Sequence, residues 1–129
     1  MSYYFAKTLS GISFEDAIAR ATDALKEEGF GILTEIDVKT TMKKKLDKDF
    51  RDYRILGACN PSMAWQALQA EERIGTMLPC NVIVQQRDNG DVEVAAVDPA
   101  ASMQAVENPA LAGIAADVRD SLKRVIDSL

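Results

Sequence analysis

Tyr53-Arg54-Ile55-Leu56-Gly57-Ala58-Cys59-Asn60-Pro61 decides how this chain folds. Tyr53 to Cys59 reads as a strand, rich in aromatic and aliphatic residues and free of proline. Asn60-Pro61 then reads as a helix N-cap followed by the first helical residue, where proline costs no hydrogen bond. The following helix, running to Glu71, carries Ala64, Trp65, Ala67 and Leu68, with Trp65 expected in the core. Further on, Leu78-Pro79-Cys80-Asn81-Val82-Ile83-Val84 repeats the Cys-Asn pair at the start of another strand, Asn81 to Gln86. If these two strands are antiparallel neighbours, the end of one and the start of the other share a sheet edge, and Cys59 and Cys80 meet there. If they are parallel, the thiols sit at opposite ends.

Working outward, Tyr3 to Leu9 reads as a first strand. Ser13-Phe14-Glu15-Asp16 has the form of a capping box. Phe14, Ala17, Ile18, Ala21 and Leu25 follow at helical spacing, and Gly29 and Gly31 close the helix. Gly31 to Val38 alternates, with Ile32, Thr34, Ile36 and Val38 on one side, as a half-buried strand does. Thr40 or Thr41 is expected to cap a short helix through Phe50, with Met42, Leu46 and Phe50 facing inward. Asp88-Asn89-Gly90-Asp91 supplies a hairpin turn before a strand from Val92 to Val97. After Asp98-Pro99 and an Ala-rich connection, Asn108-Pro109 opens a last helix. Its apolar face is Leu111, Ile114, Ala115, Val118, Leu122, Val125, Ile126 and Leu129. The order β-α-β-(α)-β-α-β-β-α predicts an α+β domain: an antiparallel sheet with helices packed on one face. The whole of 1–129 is expected to be a single domain.

Composition narrows the function. The chain has 129 residues, net charge −5 and no histidine. The acidic balance opposes nucleic-acid binding, which needs a basic surface. Lys39, Lys43, Lys44, Lys45 and Lys48 are interleaved with Asp47, Asp49 and Asp52, and read as a solvated face. The N-terminus has no signal-peptide pattern and no apolar run spans a bilayer, so the expectation is a cytoplasmic protein without a membrane partner. There is no phosphate-binding glycine loop. The absence of histidine removes the commonest base and the commonest metal ligand.

Chemistry therefore centres on Cys59, Asn60, Cys80 and Asn81. Cys59 precedes a helix N-terminus, which favours a thiolate. Asn60 and Asn81 are amide donors able to orient a bound atom. Glu71, Glu72 and Asp98 are weaker candidates for an added carboxylate. The plainer explanation is two buried cysteines beside satisfied asparagines. No metal ligand set is assigned. The cysteine spacing is unlike that of zinc ribbons, and a soft metal on two thiolates is the one form left open.

Those quoted segments, with Ala67-Leu68 and Val97-Asp98-Pro99, resemble the bacterial and archaeal domain-of-unknown-function family 302 over nearly the whole chain. The resemblance implies a fold similar to that of the TATA-box-binding protein, with an antiparallel meander that places Cys59 near Cys80. It implies a homodimer and no established activity. Fold likeness does not carry DNA binding with it. Three functions follow as expectations: a domain binding a small molecule at a Cys/Asn-lined pocket, a thiol or sulfur redox enzyme using Cys59 and Cys80, and a ligand-free homodimeric interaction module. The sequence does not decide whether the protein is an enzyme, and it names no cofactor.

Overall fold

A computed structural model describes residues 2–129. Five strands, β1 (Tyr4–Leu9), β2 (Gly31–Asp37), β3 (Tyr53–Cys59), β4 (Cys80–Gln86) and β5 (Val92–Val97), form one sheet in the order β1-β5-β4-β3-β2. Every pairing is antiparallel. Strands β2 to β5 are a meander, and β1 closes onto the far side of β5. The α+β expectation holds, with the third and fifth strands at the boundaries read from sequence.

Helix α1 (Phe14–Glu27) and helix α5 (Pro109–Asp127) cover one face of the sheet. Ser13 caps α1 by accepting from the Asp16 N–H at 3.0 Å, as the capping-box pattern predicts. Phe14, Ala17, Ala21 and Leu25 are its buried stripe. On α5 the buried side chains are Leu111, Ala115, Val118, Leu122, Val125 and Ile126, the face given by the periodicity. Burying one large aliphatic side chain contributes roughly 1.5–3 kcal/mol, against about 1 kcal/mol for a cap. Packing therefore holds these helices and the caps set where they begin. They meet Leu56, Ala58, Cys80, Val82, Val84, Val92, Val94 and Ala96, the inward positions of β3, β4 and β5. Arg54 ties α1 to the sheet through Glu35 (2.6 Å) and Glu15 (3.1 Å).

Local departures from the sequence reading have physical causes. A bulge between Ile32 and Thr34 breaks the alternation of β2, so Ile32 pairs with Ala58 on the core face and Thr34 with Gly57 on the other. Val38 is not a strand residue. It opens α2 (Val38–Leu46), capped by Asp37, which accepts from the Thr40 N–H at 3.0 Å. This helix ends at Asp47, in the left-handed region at φ 52°, short of Phe50. Leu46 and Phe50 do not face inward: Leu46 is 62% exposed, and Phe50 lies under the Arg51 guanidinium at 4.4 Å. The Ala-rich connection contains one helical turn, α4 (Pro99–Ser102), capped by Asp98.

Helix α3 (Pro61–Ala70) packs against α5 and buries Ala67, not the expected Trp65, which is 67% exposed. Its small residues allow the close approach to α5, which turns the indole outward. No helix among the described residues is long and apolar enough to cross a membrane.

Candidate functional site

The site is built where the open end of the sheet meets α3 and α5. In the register of β3 with β4, Ala58 pairs with Cys80 and Gly57 with Asn81. The antiparallel direction brings the two Cys-Asn segments to one sheet end, but it does not make a cysteine pair. Cys59 lies opposite Gly31 on β2 and is one residue out of step with Cys80. Successive side chains of a strand point to opposite faces. Cys59 and Cys80 are therefore not a cross-strand pair, and both are free thiols.

What they share is a cavity of about 300 Å³. The sheet end supplies Ala58, Cys59, Pro79 and Cys80, α3 supplies Met63, Ala64, Ala67 and Leu68, and α5 supplies Leu111, Ile114, Ala115 and Val118. Phe30, Leu33, Leu78, Pro99 and Met103 complete the wall, and Asn60 is its one polar side chain besides the thiols. Among the described residues no carboxylate, lysine or arginine lines it. A second cavity of about 280 Å³ shares Pro79, Cys80, Pro99 and Met103 and adds Met77, Asn81, Val97 and Ser102.

Asn60 is the N-cap of α3: its Oδ1 accepts from the Met63 N–H at 3.3 Å. The cap fixes the turn that swings Met63 and Ala64 over the sheet end. Gly57 makes the same corner possible. A Cβ there would lie 2.1 Å from Thr34 Oγ1 and 2.8 Å from Pro79 Cγ. Only glycine lets β2, β3 and the residue before β4 approach this closely.

The two thiols differ. Cys59 is half-buried and Cys80 buried. Burial first, and the neighbouring Cys59 second, push the Cys80 thiol up to about 11. Cys80 therefore stays protonated at neutral pH and is no nucleophile, because the thiolate is the reactive form.

The remaining candidates are occupied elsewhere. Asn81 is exposed on the sheet face away from the larger cavity; it lines the second one and a further concavity of about 420 Å³ beside Tyr4, Tyr53 and Ile83. Glu71 Oε1 accepts from Asn108 Nδ2 at 3.3 Å, and Glu72 pairs on the surface with Arg73. Asp98 caps α4 through the Ala100 N–H (3.0 Å) and pairs with Arg119 at 3.3 Å. None of the three carboxylates lines the larger cavity. The residues that sequence reasoning missed are the α5 and methionine wall: Met63, Met103, Leu111, Ile114 and Val118. Leu111, Ile114 and Val118 belong to the apolar stripe of α5, which marked them as core without showing that part of the stripe faces a void.

Comparison with known proteins agrees with this fold. The family model described as domain of unknown function DUF302 matches residues 5–129. The crystal structure of an uncharacterized conserved protein DUF302 from Bacillus stearothermophilus is similar, with a TM-score of 0.90 and 30% sequence identity over 98% of each chain. No curated protein matches. The chain belongs to the DUF302 family.

Proposed function

We propose that this protein is a binding or sensing domain for a small, uncharged, largely apolar molecule, held in the cavity between the Cys59/Cys80 sheet end, α3 and α5. The observation that carries this reading is the cavity wall, apolar apart from Asn60 and two thiols. At about 300 Å³ it stands at the lower end of the range of ligand pockets. It is about twice the ~150 Å³ of an apolar cavity that takes up benzene. Its rim supports the same reading. Leu33 (67% exposed) and Leu68 (42%) line the cavity and reach solvent, with Trp65 one helical turn before Leu68. Exposed apolar residues grouped around a concavity mark a binding surface more than scattered ones do.

Binding is favoured over thiol redox chemistry. The thiols are not a cross-strand pair, Cys80 holds its proton, and among the described residues no acid or base lines the wall.

The test uses 1-aminoanthracene, a neutral fluorophore of about 15 heavy atoms. At about 0.5 kcal/mol per heavy atom, ordinary for small ligands, it binds with ~7–8 kcal/mol, a low-micromolar Kd. Ala67→Phe fills the cavity from α3 and Ala115→Phe fills it from α5, and each weakens binding at least tenfold. The exposed Ala110→Phe leaves it unchanged. No fluorescence enhancement with the wild-type chain, or equal affinity in folded Ala67→Phe and Ala115→Phe, overturns the reading.

A further inference from the structure

Sulfur is concentrated at this one end of the molecule. Six sulfur-bearing residues are described: Cys59, Cys80, Met42, Met63, Met77 and Met103. Cys59, Cys80, Met63 and Met103 line the larger cavity, and Met77 joins Cys80 and Met103 around the adjoining one. Only Met42, on α2, lies elsewhere. They come from five separate segments: the end of β3, the first turn of α3, the turn before β4, the start of β4 and the residue after α4. No helical or strand periodicity places them together. The fold does.

We propose that this sulfur-lined cavity is a binding site for Cu(I), held by the Cys59 thiolate with the thioethers of Met63 and Met103, and with Cys80 sulfur on the same wall. The inference rests on the reading of this cavity as a ligand site and names a soft monovalent cation as an occupant.

The chemistry of the donor set selects the ion. Thiolate and thioether sulfur are soft ligands that favour Cu(I), whereas magnesium, calcium and manganese favour carboxylate oxygen, and no carboxylate is among the described residues of this wall. Among the described residues no group of three or more histidine, cysteine, aspartate or glutamate side chains stands ready for a harder metal. Charge balance points the same way. Binding replaces the Cys59 S–H proton by the metal, and the proton leaves to solvent. One thiolate and one Cu(I) make a neutral centre with no change of oxidation state. Thioethers add donors without adding charge. A neutral centre suits an apolar cavity for the same reason that an uncharged organic ligand does, since an unpaired buried charge is heavily penalised. A divalent ion on the same ligands would leave a net positive charge there.

Sequence placement supports the leading pair. Cys59 immediately precedes the Asn60 N-cap, and Met63 is the residue whose N–H that cap accepts. Cys59 and Met63 both line the same cavity.

The test is an anaerobic competition in which the reduced, full-length chain takes Cu(I) from its complex with bathocuproine disulfonate. The wild type takes up one Cu(I) per chain. Cys59→Ser loses at least a hundredfold in affinity. The paired change Met63→Leu with Met103→Leu conserves volume and costs at least tenfold, with an unchanged urea midpoint showing that the fold survives. Cu(I) loading also weakens 1-aminoanthracene binding. Cu(I) remaining on the chelator, unchanged affinity in the paired leucine variant, or Cu(I) and fluorophore binding without competition each overturns the proposal. Fluorophore binding without Cu(I) uptake removes the metal site and leaves the apolar-ligand reading standing. Cu(I) uptake without fluorophore binding does the reverse.

Discussion

Replacing Cys80 by alanine removes a pH dependence of stability whose size follows from the thiol's surroundings. Cys80 is 8% exposed, and burial, assisted by Cys59, raises its pKa from 9.0 to about 11. In the unfolded chain the thiol ionises near the ordinary value. The folded pKa is the higher one, so the folded state binds this proton more tightly. Its stabilising contribution is complete below about pH 9, declines as pH rises, and is lost above about pH 11. At about 1.4 kcal/mol per tenfold step the rise from 9.0 to about 11 sets a limit of about 3 kcal/mol, of which about 2 kcal/mol is lost by pH 11, where the folded thiol is half ionised. Tyrosines and lysines titrate in the same range, so the readout is a difference. Urea unfolding of wild type and Cys80→Ala is compared at pH 8, 9, 10 and 11. The gap between the two narrows by about 2 kcal/mol from pH 8 to pH 11, with wild type the one that loses stability. Repeating the pair in a Cys59→Ala background preserves most of the effect, because burial is the larger cause. A gap that stays constant from pH 8 to pH 11 refutes the description of Cys80 as a buried thiol inside the wall.

Three further outcomes follow from the packing. Gly57→Ala forces a Cβ against Thr34 Oγ1 and Pro79 Cγ and destabilises by about 1–3 kcal/mol; adding Thr34→Ala recovers part of that in a double-mutant cycle of urea midpoints. Leu122→Ala, at a side chain with 0% exposure beneath the sheet, costs about 2–5 kcal/mol by the same assay. Asn60→Ala removes the α3 cap and costs about 1 kcal/mol, and the freed first turn loosens Met63 at the cavity wall, so 1-aminoanthracene binding weakens with it.

How far the sequence carries the fold is clearest at its helix starts. Asn60-Pro61, Asn108-Pro109 and Ser13 each name their helix start, because a capping side chain and a proline act within one turn and need no tertiary partner. The Asn-Gly turn likewise announces the β4–β5 hairpin, with Gly90 at φ 92°. Asp37 and Asp98 cap helices of only 9 and 4 residues, too short for a periodicity to flag. Leu33 gives no sign of its bulge, since an extra residue in a strand leaves composition unchanged and only shifts the faces of its neighbours. Trp65 misleads because hydrophobicity alone puts indole inside, whereas the close fit of α3 on α5 is made by alanines.

The candidate site was legible as a place and not as an arrangement. The Cys-Asn repeats located the sheet end, and the antiparallel meander brought them there. The register of β3 with β4 then set the two repeats one residue out of step. Asn81 turned to the other face, and Cys80 was set opposite Ala58 in place of Cys59. Half of the wall comes from α3, α5 and Met103, contacts between residues far apart in the chain that no local pattern encodes.

The most direct test of the central claim is a crystal structure of the 1-aminoanthracene complex. The account predicts ring density between α3, α5 and the β3–β4 end, in contact with Ala67, Leu111 and Cys80. Density on the opposite face of the sheet, among Tyr4, Tyr53 and Ile83, would contradict it.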